Sequence, residues 1–342
     1  MNPRTRRISS PADLLALVPC VLGFHPEDSL VLVVVAGEGE QQLHARVDLT
    51  PDDVDLELAG ASLLHAVRRT RARQVALIAY TDDPLLADVA VDRLDDQLFD
   101  AGVDVVCALR ADGRRWYSLD CDDDCCPPEG RPYDLSSHPI TAQSVLDGQV
   151  TYRSRAELAD SLVSSDPDDV EAVAEAADEA MSRFRSTVGA IVAPGQDHPE
   201  SARRYLVAEG EWVRDRVRRF LGDGEPLDAA EAGRIAVALV NIQVRDVAWS
   251  EMSHANARSH VQLWRDLVRR TPLDLRAAPA ALLGFAAWLS GDGALAWCAV
   301  ERCQEAEPDY SLAGLLSQAL VAAVPPSTWQ PIPPEDLPLF AG

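Results

Sequence analysis

The sequence predicts an α/β domain with a mixed sheet, in the order β-β-α-β-α-β-β, followed by an all-helical domain whose end resembles a tetratricopeptide-like unit. Three observations carry this. Dense β-branched runs of strand length recur between Leu30 and Leu119. Apolar residues at helical spacing separate those runs, and beyond residue 135 the helical period takes over entirely. A chain of 342 residues suits two domains, read here as 1–135 with a cysteine-rich exit loop, 136–325 helical, and a proline-rich tail over 326–342.

Ser10-Pro11-Ala12-Asp13 supplies a cap, a proline at the first helical position and an acid three residues past the cap, so a short helix runs to about Leu17, with Pro19 ending it. Gly23 to Asp28 forms a loop, and Leu30-Val31-Leu32-Val33-Val34-Val35 reads as a buried strand. After a turn over Ala36 to Glu40, the alternation of Leu43, Ala45, Val47 and Leu49 gives a second strand antiparallel to the first. Leu58, Leu63, Leu64 and Val67 mark a helix, with Arg68, Arg69 and Arg71 complementing its carboxyl-end dipole. Gln74 to Tyr80 is a strand, Asp83-Pro84 opens a helix through Leu98, and Val103 to Leu109 is the next strand. Ala111-Asp112-Gly113 turns the chain into its hairpin partner, Arg114 to Leu119.

In the second half, Ser154-Arg155-Ala156-Glu157 is a capping box, and Asp166-Pro167 opens a long Ala/Glu-rich helix towards Phe184. Pro194 to Pro199 breaks it, and Ser201 to Phe220 is an arginine-rich helix. Asp228 with Glu231 starts another, read as extending through Trp249. Pro279 to Leu289, a Ser290-Gly291-Asp292-Gly293 turn, Ala294 to Cys303 and Asp309 to Val321 resemble a degenerate tetratricopeptide-like unit. The tail from Pro325 is expected to be loosely ordered.

Composition excludes several functions. Net charge is -24, from 55 acidic against 31 basic residues, which opposes nucleic acid as a principal partner. Every basic residue counted there is arginine, so a lysine-dependent P-loop, Schiff-base enzyme or ordinary kinase is ruled out. No apolar run reaches the roughly 18 residues a membrane span needs. The apolar stretch Leu14 to Val18 is too short for a signal peptide, so the chain is expected to be cytoplasmic, and its seven cysteines are not expected to form a disulfide framework.

Ser10-Pro11-Ala12-Asp13-Leu14-Leu15, Leu22 to Leu30 (LGFHPEDSL) and Arg46-Val47-Asp48-Leu49 resemble the opening of an actinobacterial family described as domain of unknown function 4192. Asp120-Cys121 through Cys125-Cys126-Pro127-Pro128-Glu129-Gly130 and the late Ala287 to Trp297 are similar to the same family. The resemblance implies a cytoplasmic actinobacterial protein and carries no catalytic residue with it.

Two loops are candidate sites. His25, Glu27, Asp28 and Ser29 place a base, carboxylates and a hydroxyl at a strand end, as candidate ligand-binding groups; the alternative is that Phe24 plugs the core, Pro26 stiffens the turn and Asp28 or Ser29 satisfies local backbone. Cys121, Cys125 and Cys126 gather three thiols in one loop. They could ligate zinc with Cys107, His138 or His25 as a fourth group, form a redox pair, or act as small buried hydrophobes. Arg203, Arg204, Arg214, Arg216, Arg218 and Arg219 form a basic patch read as neutralising the acidic segment Asp160 to Glu179, the alternative being a phosphate or acidic-protein seat. On one side of a helix, Asn241, Arg245, Asp246 and Trp249 read as an internal Arg-Asp pairing. No HExxH, GxSxG or complete GxGxxG occurs. The leading expectation is a binding or regulatory module for an unidentified protein or small molecule. The alternative is a small-molecule or nucleotide-binding enzyme built on the His25 and Cys121–Cys126 loops, a reading that convergence of the two in one pocket would raise sharply.

Overall fold

The computed structural model describes residues 8–37, 44–121, 126–191 and 199–340. The chain divides into two compact units, Met1–Glu157 with Val321–Ala323, and Leu158–Leu320 with Val324–Gly342.

In the first unit the elements are α1 (Pro11–Leu22), β1 (Ser29–Gly37), β2 (His44–Asp48), α2 (Asp53–Thr70), β3 (Ala72–Tyr80), α3 (Pro84–Asp100), β4 (Asp104–Ala111), β5 (Arg115–Ser118), β6 (Arg131–Pro132) and α4 (Pro139–Leu146). Six strands form one mixed sheet in the order β2-β1-β3-β4-β5-β6. β3 and β4 run parallel, joined by α3, and the other neighbours are antiparallel. The sequence reading reproduces this order apart from the two-residue β6. The turn read over Ala36 to Glu40 and Leu43 of the second strand lie wholly or partly outside the described residues.

One sheet face packs Leu30, Leu32, Val75, Leu77, Ala79 and Ala108 against Leu56, Leu63 and Val67 of α2 and Val91, Leu94 and Leu98 of α3. Val31, Val33, Ala76, Ile78 and Leu109 on the opposite face are buried as well. Burial on both faces is why these strands read as continuous apolar runs rather than alternating ones. Leu58, taken from the sequence as part of α2's apolar face, is instead 61% exposed; Leu56 and Gly60 turn inward with Leu63.

α1 begins as expected: Ser10 Oγ accepts from Asp13 N at 3.2 Å, and the Asp13 carboxylate reaches back to Ser9 N at 2.8 Å. It does not stop at Leu17. The helix runs through Pro19 to Leu22 and closes on Gly23, whose left-handed φ of 75° aims its N–H at Pro19 O. A proline inside a helix costs about 3 kcal/mol. Leu14, Leu15, Leu17, Val18 and Leu22 are all buried on the continued helix, each contributing roughly 1.5–3 kcal/mol, so burial outweighs the missing bond.

The second unit holds α6 (Pro167–Ile191), α7 (Pro199–Asp223), α8 (Ala229–Ala238), α9 (Ile242–Ser250), α10 (Ala257–Arg270), α11 (Ala277–Leu289), α12 (Gly293–Ala306) and α13 (Ser311–Val321); α5 (Arg155–Asp160) leads into it. The break expected at Pro194 to His198 lies outside the described residues. The single helix read from Asp228 through Trp249 is two. Asn241 caps α9 by accepting from Gln243 N and Val244 N, and a short polar side chain that satisfies a fresh helix start stops the preceding helix from continuing. α6 and α8 meet backbone to backbone at Gly233, where a Cβ would come within 2.6 Å of Ala177 N. All thirteen residues of α11 are buried, as expected of a helix apolar all round.

Part of the proline-rich tail packs its apolar side chains. Leu337 and Leu339 are buried, and Trp329 stacks on Trp249 at 5.0 Å with Phe285 edge-on at 4.8 Å. The apolar residues between the prolines give it something to bury.

His260 is fully buried in α10, where Trp264 Nε1 donates to its Nδ1 at 3.2 Å and its Nε2 faces Glu251 O at 3.2 Å. Both contacts suit the neutral Nε2–H tautomer. Burial pushes its pKa down to about 4 against the opposing pull of Glu251. The unfolded chain therefore binds a proton that the folded chain refuses, and stability present above the ordinary histidine pKa is lost as pH falls from about 6.5 towards 4. Urea denaturation across that window should lose on the order of 3 kcal/mol in the wild type and distinctly less in His260→Gln. Equal losses in both proteins would refute this assignment.

Candidate functional site

Register decides which loops meet. Ser29 opens β1 opposite Tyr80, the last residue of β3, and Tyr80 lies opposite Ala111, the last residue of β4. Because β1 is antiparallel to the other two, its beginning and their carboxyl ends share one margin of the sheet. The carboxyl ends of parallel strands are where open α/β sheets hold their ligands.

A cavity of about 710 Å³ lies at this margin. Its walls come from α1 (Leu15, Ala16, Pro19, Cys20), the loop His25 to Asp28, the segments Tyr80 to Asp82 and Ala111 to Gly113, and Tyr133 to Ser136 with Thr141 and Thr151. The volume falls within the range of roughly 300–1,000 Å³ typical of small-molecule sites.

The His25 loop is held from both sides. His25 N donates to Tyr152 O at 2.9 Å, Tyr152 N to Gly23 O at 2.8 Å, and Leu49 N to Asp28 O at 2.8 Å. Asp28 adopts a left-handed φ of 41°, a conformation that aspartate tolerates better than most residues. His25, Glu27 and Asp28 all line the cavity. Ser29 is fully buried beneath them, donating to Glu27 O at 2.5 Å and accepting from Arg46 Nε at 2.9 Å. It braces the loop. Burial lowers the His25 pKa, with Glu27 pulling the other way, so the imidazole is largely neutral at pH 7.

Across the cavity, Asp112 accepts from Arg114 N at 2.8 Å, Arg115 N at 2.6 Å and Tyr117 Oη at 3.0 Å. Burial raises its pKa, but these donors and Arg110 outweigh it, and the net shift is downward. The turn is further fixed by Arg110, whose guanidinium lies 3.7 Å over the Tyr117 ring and donates to Thr81 O at 3.3 Å. Asp134 accepts from Ser136 N at 2.9 Å, which holds its pKa below the usual range.

Tyr80 is the unusual wall residue. It is 7% exposed, and its hydroxyl is buried with no hydrogen-bond partner among the described residues. Burial, with Tyr133 nearby, drives its pKa well up, so it stays a neutral phenol. A polar group buried without a partner costs about 1–3 kcal/mol. Sequence reading missed Tyr80, Thr81, Asp112 and Tyr133; the available signal was the polar run Tyr80-Thr81-Asp82-Asp83 closing a strand that a helix carries back into a parallel neighbour.

Of the cysteines considered for metal or redox chemistry, none of the described ones, Cys107, Cys121 and Cys126, lines this cavity. Cys125 lies outside the described residues, and among those described no group of three or more His, Cys, Asp or Glu is placed to hold a metal ion. His138, considered as a fourth ligand, caps α4 through Nδ1, and its Nε2 faces Asp13 Oδ1 at 3.3 Å. Burial, Asp120 and Cys126 push the Cys107 thiol up to about 11.

Five arginines of the basic patch pair with carboxylates outside the expected Asp160 to Glu179 segment. Arg216 and Arg219 reach Glu231 at 3.0 and 2.5 Å, Arg214 and Arg218 reach Glu251 at 3.1 and 2.7 Å, and Arg204 reaches Glu200 at 3.1 Å. The internal pairing read for α9 is present, Arg245 to Asp246 at 2.6 Å. A second cleft, of about 450 Å³, lies in the helical unit among Met181, Phe184, Tyr205, Val237 and Val244. Its Arg234 and Glu209 pair at 2.8 Å.

A mixed-sheet α/β unit with a polar cavity at its strand ends, joined to a helical unit, is the class of protein these features define. The chain belongs to the family described as "Domain of unknown function (DUF4192)", whose model matches residues 11–327. Comparison with curated proteins and with solved structures found no match.

The raised Cys107 pKa leaves roughly two orders of magnitude less thiolate at pH 8 than an ordinary thiol carries. Iodoacetamide labelling followed by peptide mass spectrometry should modify Cys107 at least about tenfold more slowly than glutathione. A rate equal to glutathione's would contradict the assignment.

Proposed function

We propose that the chain is a binding module whose α/β unit holds a small molecule in the cavity between His25, Tyr80, Asp112 and Tyr133. The observation that carries this reading is the hydroxyl of Tyr80, a cavity-lining residue, buried and without a hydrogen-bond partner among the described residues. Small-molecule sites combine apolar walls with a few placed polar groups, and here Leu15, Ala16 and Pro19 supply the former. The helical unit, with α11 and α12 read as a tetratricopeptide-like hairpin, would transmit or present the bound state to a protein partner. A cytoplasmic setting and an actinobacterial origin belong to the same reading, supported by the family resemblance and by the finding that no helix among the described residues is long and apolar enough to cross a membrane. Convergence of the His25 and cysteine loops in one pocket would raise the enzyme reading; among the described residues the only cysteine lining the cavity is Cys20 of α1, so the binding reading is preferred.

Native mass spectrometry of the protein isolated gently from its source tests this. The wild type should carry a bound small molecule near unit stoichiometry, and Thr141→Trp or Ser136→Trp, each adding bulk at a lining position, should lose it while keeping the wild-type circular dichroism. A bare wild-type mass, or the same adduct on both filled variants, would overturn the reading.

A further inference from the structure

Five carboxylates line the cavity, those of the exposed Glu27, Asp28, Asp82 and Asp134 and of the half-buried Asp112, and His25 is the sole basic side chain among the described lining residues. No arginine is among the described lining residues, although Arg110 bonds Thr81 O and lowers the Asp112 pKa; elsewhere in the molecule arginines and carboxylates pair directly. Asp112 is fixed by three donors at the hairpin turn, so its charge stays at the wall rather than swinging into solvent. Such a field repels phosphate- and carboxylate-bearing molecules and concentrates cations.

Acidic residues alone would define only a surface. Here they line the same cavity as a buried phenol, Tyr80, whose hydroxyl has no hydrogen-bond partner among the described residues, and a second, half-buried phenol, Tyr133. The Tyr80 hydroxyl can accept from an N–H donor, and aromatic walls attract a desolvated cation over their π faces. Donor, charge and apolar stem are the three properties the walls select for together.

We propose that the ligand of this cavity is a small organic cation, an amine or guanidinium carried on a short apolar stem, with its charge among the carboxylates and its N–H directed to Tyr80. This rests on the cavity being a binding site, and the test separates the two.

Ligand-observed saturation-transfer NMR would be run on the full chain with two charge series on matched skeletons: phenethylamine, phenylethanol and phenylacetate, then diaminobutane, butanediol and succinate. Each probe is repeated with Thr141→Trp and, as a second filled cavity, Ser136→Trp. The amines should bind in a manner that both filled variants abolish, at least about tenfold more tightly than their neutral partners. The acids should give no cavity-dependent signal, and the triple variant Glu27→Gln, Asp82→Asn, Asp134→Asn should remove the amine preference. If cavity-dependent binding appeared equally for neutral or anionic members, the cation assignment would fail while the binding site stood. If no probe of any charge bound in a cavity-dependent way, both would fall.

Discussion

The parallel pairing of β3 with β4 is the constraint on which the α/β unit depends. A parallel pair cannot be closed by a tight turn; it requires a crossover, here α3, and it requires cover on both faces because neither face can be given to water. Once α3 returns the chain, Tyr80 and Ala111 must end side by side, and antiparallel β1 must begin next to them at Ser29. The cavity is thus a consequence of strand direction. Three loops with no proximity in sequence become three walls of one site.

Much of this frame was legible in the residues because the signals are local. Ser10 and Asp13, Asp83 and Pro84, Asp228 and Glu231 each mark a helix start with a side chain that satisfies backbone donors, and each helix starts there. The apolar runs marked β1, β3 and β4, alternation marked β2, and the Asp112-Gly113 turn marked β5. What was not legible depends on packing at a distance. Nothing near Pro19 says that the helix survives it, since the burial that outweighs the lost bond comes from the fold as a whole. The same holds for the tail, where Trp329 finds an aromatic partner eighty positions earlier in Trp249.

Half of the cavity was legible too. The loop around His25 stood out by composition, and the structure sets His25, Glu27 and Asp28 in the wall. Ser29 joined them in sequence but alternation turns it under the loop, where Arg46 holds it. Tyr80 gave no compositional sign, because a tyrosine ending a strand is ordinary; only the hydroxyl's isolation distinguishes it. Charge tells a similar story. The arginine-rich helix α7 looked like the electrostatic feature of the chain, yet Glu231 and Glu251 draw in four of its guanidinium groups, and the concentrated negative wall lies in the other unit.

The account turns on Tyr80 keeping a polar atom buried at a cost to the empty protein. Urea denaturation of ligand-free wild type and Tyr80→Phe measures that cost directly. Deleting a hydroxyl that has no partner should leave stability unchanged or raise it by about 1 kcal/mol, with the slope of the transition unaltered. A loss of more than about 1 kcal/mol would mean that the hydroxyl is already satisfied within the fold, and the cavity would lose the one group that asks for a ligand.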